Sequence, residues 1–198
     1  NCWLMAVELP DSRVCDCYNT LGTPSLSNQE LLNPEMISIQ EIVKPIYGLP
    51  CWHVRQGYGS HLTLEFGQPH QTVYPVRFPK QTTGTRRHPS RCVVIKGEWH
   101  LWIYCCGWRI FQASEELAHN EASREDIAKA CSILDGQALT KVELSPNHGW
   151  STFTFDLGGV LETGPYDDEL LEQWFLFCPK SLGLTYRSDG KVSYSSTD

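Results

Sequence analysis

His61-Leu62-Thr63-Leu64-Glu65-Phe66 carries an apolar residue at every second position, and the same alternation returns in Thr152-Phe153-Thr154-Phe155-Asp156-Leu157. Successive side chains of an extended strand point to opposite faces, so a period of two marks a strand with one face in a core and the other toward solvent. Leu62, Leu64 and Phe66 are therefore expected inside, as are Phe153 and Phe155. The stretch 91–106 continues the theme: Val93, Ile95, Trp99, Leu101 and Ile103 fall on one face, and Lys96, Glu98, His100, Trp102 and Tyr104 on the other. Gly97 interrupts this run and predicts a bend or bulge there.

The two alternating stretches also resemble each other. Ser60-His61-Leu62-Thr63-Leu64-Glu65-Phe66-Gly67 aligns with Ser151-Thr152-Phe153-Thr154-Phe155-Asp156-Leu157-Gly158, and Trp102-Ile103-Tyr104-Cys105-Cys106 aligns with Trp174-Phe175-Leu176-Phe177-Cys178. The offsets are 91 and 72 positions, so the first block holds 91 − 72 = 19 more residues between its matched strands. Preserved order across two blocks suggests an internal duplication, with a groove expected at the seam between the two units.

Around these strands the other elements are punctuated clearly. Ser123 with Asp126 three residues on forms a helix-start pattern, Ile127, Ala130, Cys131 and Leu134 follow at helical spacing, and Gly136 stops the helix. One apolar stripe predicts that this helix packs on a sheet. Strands are expected at 139–144, 152–157 and 172–178, then a closing hairpin over 184–194 turned by Asp189-Gly190. The predicted class is α+β, mostly antiparallel, with two similar β units and one main helix packed on a sheet. The expected division is an N-terminal segment 1–50, a first β unit 51–113, a helical connection 114–136 and a second β unit 137–198, together making one domain. In the N-terminal segment, Asn33-Pro34 and Lys44-Pro45 punctuate apolar stretches at 29–32 and 36–43, each readable as a helical turn or an edge strand.

Composition narrows the function. The 198 residues carry 16 Lys+Arg against 23 Asp+Glu, a net charge of −7. A chain of that balance repels a nucleic-acid backbone and attracts basic partners. No apolar stretch approaches the roughly 18 residues of a spanning helix, and the opening residues lack the basic and apolar regions of a signal peptide. Nine cysteines form no regular disulfide framework, and no glycosylation sequon occurs. A reducing cytoplasm with buried free thiols is the expectation. Cys15/Cys17 and Cys105/Cys106 lack the spacing of a metal knuckle, and no cofactor or metal is implied.

Two sets of side chains invite a functional reading. His61, Glu65, Glu98 and His100 lie on the polar faces of strands that can neighbour each other, where a carboxylate and an imidazole could do acid–base work or hold a metal in a small-molecule hydrolase. No H-E-x-x-H, G-x-S-x-G or phosphate-loop signature supports that reading. Trp102 and Tyr104, flanked by acidic residues elsewhere in the chain, offer the second set. Large rings bury contact area at low entropic cost, and Asp167, Asp168 and Glu169 can steer a basic protein partner. The basic loop 80–91, with Lys80, Arg86, Arg87, His88 and Arg91, reads as a solvated surface segment.

The segment from Ser151 to Tyr194, with Phe153-Thr154-Phe155-Asp156-Leu157-Gly158-Gly159, Trp174 and the Asp189-Gly190 hairpin, resembles small strand-rich bacterial proteins, many uncharacterised and others acting as immunity proteins in toxin systems. The likeness covers about a quarter of the chain and transfers no functional residues. It implies a non-catalytic inhibitor or adaptor. Taken with the acidic balance and the aromatic strand face, the expectation is a protein that occludes a basic toxin, and Trp102, Tyr104, Asp167, Asp168 and Glu169 are its candidate contact residues.

Overall fold

The computed structural model describes residues 39–76, 89–145, 148–167 and 169–196. In chain order the elements are α1 (Ile39–Val43), a 3-10 turn (Lys44–Ile46), β1 (Trp52–Gln56), β2 (Leu62–Phe66), β3 (His70–Val73), β4 (Val93–Lys96), β5 (Trp99–Ile103), β6 (Gly107–Gln112), β7 (Glu115–His119), α2 (Arg124–Leu134), β8 (Leu139–Ser145), β9 (Trp150–Phe155), β10 (Gly159–Gly164), β11 (Glu172–Cys178), β12 (Leu182–Arg187) and β13 (Val192–Ser196). They divide between two compact units, the larger taking in residues 39–71 and 95–196 of those described and the smaller residues 72–94.

The larger unit holds two antiparallel sheets. One has six strands in the order β1-β2-β5-β11-β12-β13, the other five in the order β7-β6-β10-β9-β8. Their inner faces share one core: Leu62, Leu64 and Phe66 from β2, Leu101 and Ile103 from β5, and Trp174 and Leu176 from β11 meet Ile110, Phe153, Phe155 and Leu161 of the other sheet. Trp174 ties the layers together, its ring edge-on to Phe153 at 5.6 Å and its Nε1–H donating to Ser151 Oγ at 2.9 Å. Burying such rings with the polar tip satisfied is what makes tryptophan a strong core anchor.

Helix α2 begins where the sequence predicts it, with the Ser123 hydroxyl accepting from the Asp126 N–H at 3.1 Å. Ile127, Ala130, Cys131 and Leu134 are buried, and the helix packs against β1, β6 and β7. Gly136, at φ +92°, supplies the left-handed residue after its last turn. The closing hairpin differs slightly from the two-residue turn that Asp189-Gly190 suggests. Arg187 N–H bonds the Lys191 carbonyl at 3.0 Å, so Ser188–Gly190 form the loop and Gly190 takes φ +77°. This is the longer turn in which a left-handed glycine forms a bulge.

Three expectations need correction. Val93 and Ile95 are 52% and 42% exposed rather than in the core. The alternation does not run through Gly97, because β4 leaves the sheet to pair with β3 in a separate two-stranded ribbon while β5 enters the six-stranded sheet. A Cβ at Gly97 would lie 2.3 Å from the Phe66 carbonyl oxygen, so the chain turns there at a close backbone contact that only glycine permits. Second, the connection 114–136 is not wholly helical: Glu115–His119 is the edge strand β7, with Ala118 buried. Third, β2 is buried on both faces, Thr63 and Glu65 included.

The aligned blocks distribute unequally. β2 and β5 are neighbours in one sheet, whereas β9 lies in the five-stranded sheet and β11 pairs with β5 in the six-stranded one. In the smaller unit the Tyr74 N–H bonds the Cys92 carbonyl at 2.9 Å, near the open end of the β3–β4 ribbon. Of the expected N-terminal elements, Ile39–Val43 forms one helical turn and 29–38 lie outside the described residues, as do 80–88 of the basic loop.

Candidate functional site

Alternation on β2 and β5 puts Thr63, Glu65, His100 and Trp102 on the face of the six-stranded sheet that points away from the core. The register sets Glu65 opposite His100 and Thr63 opposite Trp102, while on the other side of β5 Phe177 lies opposite His100 and Phe175 opposite Trp102. Glu65 Oε1 and His100 Nδ1 are 2.8 Å apart, and Glu65 Oε2 accepts the Gly97 N–H at 2.9 Å. The ring of His100 rests against Phe177, their centroids 5.3 Å apart. Glu65 and His100 are each 2% exposed. Expected as surface polar groups, they form a buried pair instead.

The electrostatics of the pair follow from that burial. Loss of water disfavours a charged imidazole, and this outweighs the pull of Glu65, so His100 is held below its ordinary value; Lys96 and Arg55 push the same way. Burial also works against the Glu65 carboxylate, but the bond to His100, the Gly97 N–H and the nearby Lys96 charge together hold it below its ordinary value. At neutral pH the pair is a carboxylate accepting Nδ1–H from a neutral imidazole. A carboxylate in that position fixes the tautomer and orientation of a base.

The other members of the predicted acid–base set are elsewhere. Glu98 is exposed and accepts the Gln68 N–H at 3.1 Å. His61 stands at the far end of β2, half-buried, edge-on to Trp102 at 5.7 Å and to Tyr104 at 6.1 Å, and burial holds its imidazole below the ordinary value. Among the described residues no three His, Cys, Asp or Glu side chains are grouped to hold a metal ion.

Trp102 and Tyr104 do come together, stacked with centroids 4.6 Å apart and planes 25° from parallel. The Tyr104 hydroxyl donates to Glu172 Oε2 at 2.5 Å, and burial first, then that carboxylate, pushes the phenol well up. Glu172 begins β11, directly after the loop carrying Asp167 and Glu169. In that loop Asp167 Oδ1 accepts the Glu169 N–H at 2.9 Å, and the Glu169 carbonyl accepts from the Ser188 hydroxyl at 2.9 Å. Asp167, Glu169 and Glu172 are exposed, as are Tyr166 and Leu170 beside them. Asp168 lies outside the described residues. Arg187 faces Glu172 across the β11–β12 pair, yet its guanidinium binds Asp189 at 3.1 Å. Among the described residues no cation lies within ion-pair distance of Asp167, Glu169 or Glu172.

Sequence reasoning missed Glu172, Phe175 and Phe177. The signal was present in the alternation of 172–178, since Phe175 and Phe177 fall out of phase with Trp174 and Leu176, but an all-apolar strand hides which face is which. Burial pushes the Cys51 thiol up to about 12, Cys131 to about 11 and Cys178 to about 12. Such groups stay protonated and inert. No helix among the described residues is long and apolar enough to cross a membrane. No family model matches the chain, and neither a curated protein nor a solved structure matches it.

Proposed function

We propose that this chain is a non-catalytic acidic protein that binds a basic protein partner, in the manner of an immunity protein occluding a toxin. The observation that carries the reading is the hydrogen bond from Tyr104 to Glu172, which joins the aromatic end of β5 to the acidic loop leading into β11. Rings that bury area cheaply and carboxylates with no cation in reach among the described residues thus share one end of the six-stranded sheet. The net charge of −7 adds long-range attraction for a cationic surface. Buried, protonated thiols suit a reducing cytoplasm.

The test uses the whole chain as bait in a lysate of its source organism, followed by reconstitution with the purified captured protein. A basic protein should bind at low salt, release as screening rises, and protect cells when co-expressed if it is a toxin. Binding that is indifferent both to salt and to the paired substitution Asp167→Asn/Glu169→Gln would refute the reading.

The Glu65–His100 pair favours a second reading, a hydrolase that uses His100 as a base oriented by Glu65. Its burial and its separation from His61 and Glu98 weigh against that use. A His100→Gln variant that keeps its fold and loses turnover on an ester and phosphoester panel would establish the enzyme; no turnover by the unaltered protein would remove it.

A further inference from the structure

The outermost strand of a sheet offers a row of N–H and C=O groups to any extended chain that meets it, unless the protein covers them. β8 is an edge of the five-stranded sheet, and the segment 39–51 runs along it. At first the cover is backbone: the Leu139 N–H bonds the Leu49 carbonyl at 3.1 Å, and the Gly48 N–H bonds the Leu139 carbonyl at 2.8 Å. At Val142 side chains take over. The Val142 N–H donates to the Tyr47 hydroxyl oxygen at 3.1 Å, Gln40 Nε2–H donates to the Val142 carbonyl at 3.0 Å, and the Tyr47 hydroxyl donates to Gln40 Oε1 at 3.0 Å. Gln40 and Tyr47 thus do for Val142 what the backbone of a further strand would do. Ile42, Val43 and Ile46, all buried, hold the segment in place.

The covered edge is self-complementary. An antiparallel copy of β8 centred on Val142 would exchange both N–H···O bonds between the two Val142 residues, the pattern of a hydrogen-bonded pair. Its neighbours then fall as Lys141 opposite Glu143 and Glu143 opposite Lys141. Within one chain these two side chains, 59% and 56% exposed, pair with each other at 2.7 Å. Across a two-fold axis each would meet the opposite charge of the other copy, and such cross-strand pairs stabilise antiparallel strands.

We propose that the Gln40–Tyr47 pair is a guard on the β8 edge, and that the site it closes is one for β8 of a second copy of this chain. The two-fold charge match favours a copy over an unrelated extended peptide, which need not present a lysine and a glutamate two residues apart. This edge belongs to the sheet that does not carry the acidic loop, so the proposal stands apart from the binding of a basic partner.

The test is sedimentation of the full chain and its variants over a range of concentrations, at a salt level that screens the repulsion between two chains of net charge −7. Ile42→Lys/Tyr47→Phe removes one apolar anchor of the guard and the hydroxyl that bonds Val142. This variant should form a dimer as concentration rises, while the intact chain shows no association that responds to residues 141 and 143. Adding Lys141→Glu sets like charges opposite each other and should weaken the dimer about tenfold. Lys141→Glu/Glu143→Lys restores opposite pairs and should bring the dimer back. A folded release variant that stays monomeric, or a dimer indifferent to Lys141→Glu, would overturn the proposal. Preference of the released edge for an extended peptide with no charges at the matching positions would do the same. Should the release variant fail to fold, Gln40→Ala/Tyr47→Phe keeps every apolar anchor. In that variant hydrogen exchange at the Val142 amide should quicken in dilute solution and slow again as the chain is concentrated; exchange that ignores concentration would count against the edge just as firmly.

Discussion

On the outer face of the five-stranded sheet, Arg109 sits between Glu162 at 2.8 Å and Glu116 at 4.0 Å, and Lys141 reaches Glu143 at 2.7 Å. These side chains are open to water, 45% for Arg109 and 29% for Glu162, and each charge is answered by its neighbour. The six-stranded sheet does the opposite. Its carboxylate Glu65 is buried against His100, and Glu172 ends at a tyrosine hydroxyl with no cation in ion-pair reach among the described residues. Solvated pairs of the first kind contribute about 0–1 kcal/mol and neutralise a surface. A sealed pair instead costs free energy to desolvate, an exposed carboxylate beside aromatic rings stays open to a cationic partner, and a surface that retains both is the better place to look for recognition.

The largest expected effect breaks the sealed pair. Glu65→Ala strips the acceptor from both His100 and the Gly97 N–H, and chemical denaturation should show a loss of about 3 kcal/mol. A loss below about 1 kcal/mol would mean that the pair is as well solvated as those on the other sheet. Next comes Gly97→Ala, whose new Cβ meets the Phe66 backbone. A cost of about 2 kcal/mol is expected in the same measurement, since neither backbone can give way freely.

Acid sharpens the contrast more gradually. His100 is held below its ordinary value near 6.5, so the unfolded chain takes up that proton first. Its contribution to stability is complete above about 6.5 and is lost as pH falls toward the folded value. Glu65, held below its ordinary value near 4.5, has the same sign and adds a further loss below that pH. Stability measured from pH 7.5 to 4 should decline, and His100→Gln should flatten the upper part of the decline, leaving the slope that comes from His53 and His61, which are also held low. The smallest effect belongs to the solvated face: Glu162→Ala should cost less than about 1 kcal/mol and shrink further at high salt.

Much of this architecture was legible from alternation alone. Leu62, Leu64 and Phe66 point where a period of two sends them, and Ser123, Ile127 and Gly136 mark the helix because capping and spacing are local properties. What alternation cannot report is which strands pair. Gly97 breaks a run that looks continuous, sending Val93 and Ile95 into a ribbon, and nothing near Trp174 announces that β11 pairs with β5 while β9 joins the other sheet. The site was half legible for the same reason. Glu65 and His100 were candidates by residue type, but the Phe177 ring against His100 is brought from far along the chain by cross-strand register. The Tyr104–Glu172 contact, across 68 positions, is likewise a product of pairing.

The claim that recognition belongs to the six-stranded sheet is tested most directly by neutralising two carboxylates on each face and measuring affinity for the captured basic partner. Asp167→Asn/Glu172→Gln and Glu116→Gln/Glu162→Gln change the net charge equally, so long-range attraction falls alike in both. At low salt the first pair should weaken binding at least tenfold more than the second. Equal losses would reduce the acidic loop and its rings to a general field, and a greater loss from the second pair would move the recognition surface to the other sheet.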